Sequence, residues 1–512
     1  MDFHDDTITT AANEAFQTDR LFAAGIALIQ NGKVRLSTAV GADDLTLFEI
    51  GSITKLLTAT LALRSGVDLD APVEDLVPGL RFDDRRGEEV TLRHLLTHSS
   101  GLPAAGRDWG PADPRALRRF VTSDLAHHRF HSGPGKVGCY SSTAISLVGL
   151  ALEEVSGSRF RDLLRSQVLD LAGMAGSGFP PEFDREAVSW PHSRAVGSWE
   201  PVVRLADNPA GYPSGFLLAS LRDMSHLAVA VLEGGLIGVE GLIATTVPRW
   251  MDHARSPLGR VSAGYGLGSF TGAWSGQTVI RHGGSQLTSN CSVDFFPETE
   301  SAVVLLTNGA DDATFMDLLT LCYRMVAGPP AEMSPMVAQI PETSRRQAAV
   351  GTFLDVDNGT MVTIGVRDDR GLFIDRGESG ARLDYAGEHH WVVSGPGGET
   401  PVGIPWESGP ADVVFVWGRP YFRIDPPDTG LVIDRDRLCG VYADSFWDHP
   451  ETRISVADSD GVFTVSGEGH VSVARPIGPL RLVSDHGLLE FEEDGSGMVL
   501  GNATRHVRVA DR

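Results

Sequence analysis

Apolar residues in the first part of the chain recur mostly at helical spacing. Residues 1–20 read as a polar amphipathic helix. Residues 52–64, SITKLLTATLALR, are apolar around most of the circumference, which predicts a buried helix with Ser52 at its N-terminal end. Further helices are predicted over 91–98, 112–125, 141–156, 159–171, 216–233 and 312–326, with Gly and Pro punctuating the gaps. Two apolar runs, 25–29 and 34–40, flank Gln30-Asn31-Gly32-Lys33, and Asn-Gly in that place is a strong hairpin signal. Strands are predicted again at 264–270, 277–282, 290–296 and 301–307, the last two joined by the turn Pro297-Glu298-Thr299-Glu300.

The texture changes after residue 327. Residues 328–347, GPPAEMSPMVAQIPETSRRQ, read as a linker. Beyond it come short alternating segments with turns every 8–12 residues, an all-β pattern. Val350-Gly351-Thr352-Phe353 and Cys439-Gly440-Val441-Tyr442 form a weak repeat with an offset of 440 − 351 = 89 residues. Two small antiparallel barrels fit this better than one large sandwich. The expected organisation is a mixed α/β domain at 1–327, a linker at 328–347, and β-barrel domains at 348–435 and 436–512.

A length of 512 residues suits several domains. The net charge of −24 disfavours binding to phosphate backbones and anionic lipid heads, so neither nucleic acid nor a membrane surface is an expected partner. The start, MDFHDDTITT, lacks the apolar core of a secretory signal, and no run reaches the ~18–20 apolar residues that span a bilayer. Cys139, Cys291, Cys322 and Cys439 are scattered, without a C-x-x-C, so a reduced cytoplasmic compartment is the simple expectation. The His residues at 94, 98, 127, 128, 131 and 282 show no H-E-x-x-H or similar spacing, and no metal or other cofactor is expected. Only Lys33, Lys55 and Lys136 are Lys among 43 basic residues, so each retained amine is informative, because Lys can be deprotonated where Arg cannot.

Three constellations carry chemistry. In Gly51-Ser52-Ile53-Thr54-Lys55, positions i and i+3 share a helix face, so hydroxyl and amine can touch. An amine in an apolar setting has a lowered pKa and can take the Ser proton. S-x-x-K alone also arises by chance, but here it opens a buried helix, where a Lys needs a reason. Tyr140-Ser141-Ser142 enters an apolar helix: Tyr140 could relay a proton with Ser142 lining the pocket, or the group could be a loop Tyr and an ordinary Ser cap. Arg281-His282-Gly283-Gly284-Ser285 ends a strand. Gly283 and Gly284 would let a substrate approach, with the Ser285 N–H facing an oxyanion, or His282 is a surface residue before a Gly turn.

S-x-x-K, a Tyr-hydroxyl motif 88 residues on and His-Gly-Gly 142 further on make an order that resembles the β-lactamase and penicillin-binding-protein superfamily, in its class C-like branch of esterases, D-aminopeptidases and transacylases. LTLFEIGSITKLLTA, TLRHLLTHSSGLP at 91–103, AGYPSGFLLASLRDMSHLA at 210–228, YGLGSF at 265–270 and HGGSQLTSNCSVDFFPETESAVVLLTNG at 282–309 carry that resemblance. With its two-barrel tail, notably GTFLDVDNG and GVYADS, the whole chain looks similar to three-domain D-aminopeptidases. The resemblance implies an α+β fold: an antiparallel sheet flanked by helices, an all-helical subdomain, then two lipocalin-like barrels. It implies Ser52 as acylated nucleophile, Lys55 as its activator, Tyr140 as proton shuttle and His282 in the place of the lactamase K-T-G lysine. The oxyanion donors would be the N–H groups of Ser52 and Ser285. The family often has Asn where Ser142 stands, and the tail segment 467–476, expected as a loop reaching the site, holds Glu468 and Arg475, so no amine-reading role is assigned. The expected activity is hydrolysis of an amide or ester of a small-molecule or short-peptide substrate through a Ser52 ester. A transacylase of natural-product biosynthesis and a catalytically inactive binding protein are the alternatives, and a homodimer stays open.

Overall fold

The computed structural model describes residues 6–103, 112–195, 198–202, 207–238, 241–242, 261–330 and, apart from short connections between strands, 343–509. Among the described residues, five longer helices organise the N-terminal domain: α1 (Asp6–Gln17), α2 (Ile53–Ser65), α3 (Ser142–Ser156), α4 (Leu221–Leu232) and α5 (Asp312–Ala327). Its strands are β1 (Ala23–Gln30), β2 (Lys33–Val40), β3 (Val261–Tyr265), β4 (Phe270–Trp274), β5 (Gln277–Gln286), β6 (Ser289–Phe296) and β7 (Ser301–Asn308). They form one sheet in the order β2-β1-β7-β6-β5-β4-β3, every pair antiparallel.

The sheet is covered on both faces, which is why β1 and β7 are apolar at almost every position. Ala27, Ile29, Val304 and Leu306 join a core with Leu57, Ile145 and Leu227 of α2, α3 and α4. Their neighbours Ile26, Leu28, Val303 and Leu305 point the other way, against Ile8 of α1 and Leu319 and Tyr323 of α5. This is the period-2 alternation of a strand, with both sides buried. The short helices Leu92–Leu96, Ala116–Ser123 and Phe160–Leu164 gather around α3 as a helical subdomain.

Several expected elements are shorter or different. The helix expected over 216–233 begins only at Leu221. Leu218–Ser220 pairs with Leu47–Glu49 as a short strand, and Ser220 caps α4 by accepting from the Asp223 N–H. The strand expected at 264–270 is the turn of a hairpin, where Gly268 has φ +83°. The strand expected to stop at 282 continues to Gln286. Residues 159–171 change from an α turn to a wider turn at Arg165–Leu169.

The tail forms two closed eight-stranded antiparallel barrels. The first runs from Gly351–Leu354 to Arg419–Ile424, the second from Gly440–Asp444 to Thr504–Val509. The repeat is structural. Gly351 and Gly440 open the first strand of each barrel, and Arg423 and Arg508 from each last strand crowd the space where their Cβ atoms would lie. Both barrels are filled by side chains, Phe353, Ile364 and Val414 in one, Tyr442, Val465 and Leu482 in the other. Residues 331–342 of the expected linker lie outside the described residues, and its end is the helix Thr343–Ala349.

The barrels dock on the segment that leads to Tyr140. On the strand Val413–Val416, Val414 and Val416 face the barrel interior, whereas Val413 and Phe415 pack on Val137. The His131 ring stacks on Phe422 at 5.4 Å, and Arg129 pairs with Glu490 of the second barrel at 2.7 Å. The tail stretch expected as a loop is largely a strand, His470–Gly478, with Arg475 exposed on it; Glu468 lies outside the described residues.

Candidate active site

Ser52 sits at the N-terminus of α2 with φ −66° and ψ −8°, and its side chain makes no capping hydrogen bond. A Ser at this place ordinarily caps its helix, as Ser141 does for α3 by accepting from the Ala144 N–H at 3.2 Å. The Ser52 hydroxyl instead turns to side chains. Lys55 Nζ lies 3.0 Å from Ser52 Oγ and donates to the Ser214 carbonyl at 2.8 Å. The Tyr140 hydroxyl hydrogen-bonds Ser52 as well, and Lys55 Nζ stands 5.0 Å from the Tyr140 ring centre.

Ten of the thirteen residues of α2 are buried, Lys55 among them at 1% exposure. Burial penalises the charged amine and brings its pKa from 10.5 down to about 7. Burial acts oppositely on the phenol, holding Tyr140 well above the ordinary tyrosine range despite the Ser52 bond. At neutral pH the pocket therefore holds a half-deprotonated amine and a protonated phenol, both in reach of one hydroxyl.

The turn before α2 is pressed against β5. Gly51 has φ +51°, and a Cβ there would lie 2.9 Å from the Ser285 backbone nitrogen. A Cβ on Gly284 would lie 1.9 Å from the Ile50 carbonyl oxygen. Gly284 is thus demanded by contact between two backbones inside a continuous strand, which corrects the expectation that the strand ends at the glycines. β4 pairs with β5 only as far as Arg281, so residues 282–286 run past their outer neighbour beside Ser52.

His282 is buried, with its ring centre 6.3 Å from that of Tyr140. Its Nδ1 lies 2.6 Å from the Gly283 carbonyl and must donate to it. Its Nε2 then accepts from the Tyr265 hydroxyl at 3.0 Å. Burial, then Lys55, then Arg281 push its pKa to about 3. His282 is a neutral imidazole with both nitrogens engaged, so it does not carry the charge of the lysine whose place the resemblance gives it. Ser142 is the first residue of α3 and half-buried, and Ser285 is exposed.

Sequence reasoning missed Tyr265, His98 and Ser214. Tyr265 lies in YGLGSF, a segment noted as a strand and as part of the resemblance but without a role for its Tyr, yet its ring packs edge-on to Phe270 at 4.6 Å and contacts His98 at 4.5 Å. A cavity of about 250 Å³ beside Leu117, Phe160, Arg161 and Tyr212 lies apart from Ser52. Among the described residues no group of three His, Cys, Asp or Glu side chains is placed to hold a metal ion, and no helix is long and apolar enough to cross a membrane.

A Ser-x-x-Lys pair at a helix start, a Tyr from the next subdomain and a strand laid across the nucleophile agree with the comparison by sequence: the Beta-lactamase family model matches residues 10–321. The chain belongs to the β-lactamase family. Penicillin-binding protein 4 of Amycolatopsis lactamdurans is 27% identical over 344 residues, 62% of this chain and 90% of that protein. The crystal structure of SurE superposes with a TM-score of 0.66 at 21% identity, covering 82% of this chain and 99% of SurE. A D-stereospecific amidohydrolase from Streptomyces sp. reaches 0.51 at 24% identity, over 63% of this chain and 98% of its own. The family's fold accordingly extends over the sheet and helical subdomain described above.

Proposed function

We propose that the chain is a serine acyl-transfer enzyme working through an ester on Ser52, and that it hydrolyses an amide or ester of a small-molecule or short-peptide substrate. The observation that carries this is Lys55 Nζ at 3.0 Å from Ser52 Oγ with an amine pKa of about 7. As free base, Lys55 takes the Ser52 proton while Oγ attacks the substrate carbonyl. The oxygen that becomes negative is met by the Ser52 and Ser285 N–H groups, brought together by the close approach of Gly51 to Ser285. Tyr140, protonated and bonded to Ser52, passes a proton to the leaving group and later helps to activate water. His282 forms a fixed neutral wall. Ser142 and the Gly283-Gly284 backbone line the acyl side.

The D-stereospecific amidohydrolase on the same fold fits an amide-cleaving reading. The test combines labelling with partition. A fluorophosphonate probe should add its mass to the peptide containing Ser52, and not to the Ser52→Ala protein. The Ser52 ester, formed from an activated acyl donor, is then offered millimolar amine in water. Hydrolysis should dominate. Amide as the main product would mean that amine is preferred over water by about 10⁴ and would make the enzyme a transacylase. No label on Ser52 would leave only a binding protein.

A further inference from the structure

Tyr140 is held on both sides by one residue outside the set considered so far. The Cys139 N–H donates to the His98 carbonyl at 2.8 Å, and the Ser141 N–H donates to His98 Nδ1 at 3.1 Å. The His98 ring lies 4.3 Å from the Tyr140 ring, centre to centre. His98 itself is fully buried and has φ +52°, in the left-handed region that few non-glycine residues occupy. A strained backbone next to a reacting group is where such conformations concentrate.

We propose that His98 is a positioning residue for Tyr140, gripping the amides before and after it and bracing its ring so that the phenol points at Ser52. This rests on the reading of Tyr140 as the proton shuttle. Nδ1 must keep its lone pair to accept from Ser141, so the imidazole proton sits on Nε2 and the ring is neutral. The surroundings enforce that state. Burial, then Lys55, then His282 oppose a charge on His98, while the rings of Tyr140 and Tyr265 enclose it. The grip cannot come from the backbone alone, because one of its two hydrogen bonds ends on the side chain.

The test uses His98→Gly, which accepts the positive φ without strain, and His98→Asn, which also tolerates it and places Oδ1 where Nδ1 accepts. Each is made in the full chain and in the Tyr140→Phe protein, folding is checked by circular dichroism, and turnover of a p-nitrophenyl ester is measured. His98→Gly should lower kcat about 100-fold with KM little changed, the size of a lost proton-transfer contribution. His98→Asn should recover most of that loss. In the Tyr140→Phe background the same His98→Gly change should cost less than about threefold, because the two act as one unit. Equal losses in both backgrounds, or a folded His98→Asn protein no better than His98→Gly, would overturn the positioning role. Should His98→Gly not fold, His98→Gln, whose acceptor lies one bond further out, is read against His98→Asn by the same criteria. Tyr140→Phe at the parent kcat would overturn the role of Tyr140 itself, and this one with it.

Discussion

The amine of Lys55 sets the pH at which the site works. At its ordinary value of 10.5 it would be free base in roughly one molecule in 3,000 at pH 7; at about 7 it is free base in about half of them. Burial therefore raises the working base by about three orders of magnitude. The cost appears in stability. The unfolded chain binds a proton on Lys55 that the folded chain has released between pH 7 and 10.5, so this group's contribution to stability rises with pH across that window. The penalty is complete below pH 7, on the order of 5 kcal/mol. The assay is kcat/KM for a p-nitrophenyl ester from pH 5 to 10, with the acylation burst read separately. The profile should rise with a midpoint near 7. Lys55→Arg, which keeps the charge but cannot lose its proton, should fall by at least about 10³. Lys55→Met should be inactive yet gain stability relative to the parent toward low pH. A folded Lys55→Arg protein with more than a tenth of parent activity would falsify the base role. A wild-type midpoint above pH 9 would hand that role to Tyr140, whose phenol is held above its usual range.

Gly284→Ala puts a Cβ 1.9 Å from the Ile50 carbonyl, so the turn before α2 must move: we expect about 1–3 kcal/mol less stability by urea unfolding and loss of Ser52 labelling. Tyr265→Phe removes the donor to His282 Nε2, leaving the fold in place but lowering kcat/KM about tenfold, with a new acid limb as the freed imidazole becomes easier to protonate. A chain ending at residue 330 should keep Ser52 reactive toward small acylating reagents but uncover Val137 and His131. Val137→Ser should then restore solubility to the truncated protein, while in the full chain it buries a hydroxyl against Val413 and Phe415 and should cost about 1–3 kcal/mol. A soluble truncation in which Ser52 no longer labels would show that the barrels serve the chemistry as well as the substrate.

Much of this molecule is written in local pattern. The apolar circumference of 52–64 marks a buried helix, and Ser-x-x-Lys at i and i+3 brings hydroxyl and amine to one face whatever surrounds them. Asn31-Gly32 makes its hairpin, and the Gly351 and Gly440 repeat announces two barrels of the same build. These features depend on neighbours a few residues apart, and a sequence records such neighbours directly. What decides reactivity lies elsewhere. Lys55 is lowered by burial and held by the carbonyl of Ser214, 159 positions away. His282 looks like a stand-in for a charged lysine until Tyr265 and the Gly283 carbonyl are seen to take both its nitrogens. The positive φ of His98, its grip on the amides around Tyr140 and the backbone contact that demands Gly284 exist only after the chain has closed on itself. Desolvation, tautomer and backbone approach are properties of what surrounds a group in space, and residue types in order along a chain do not contain them.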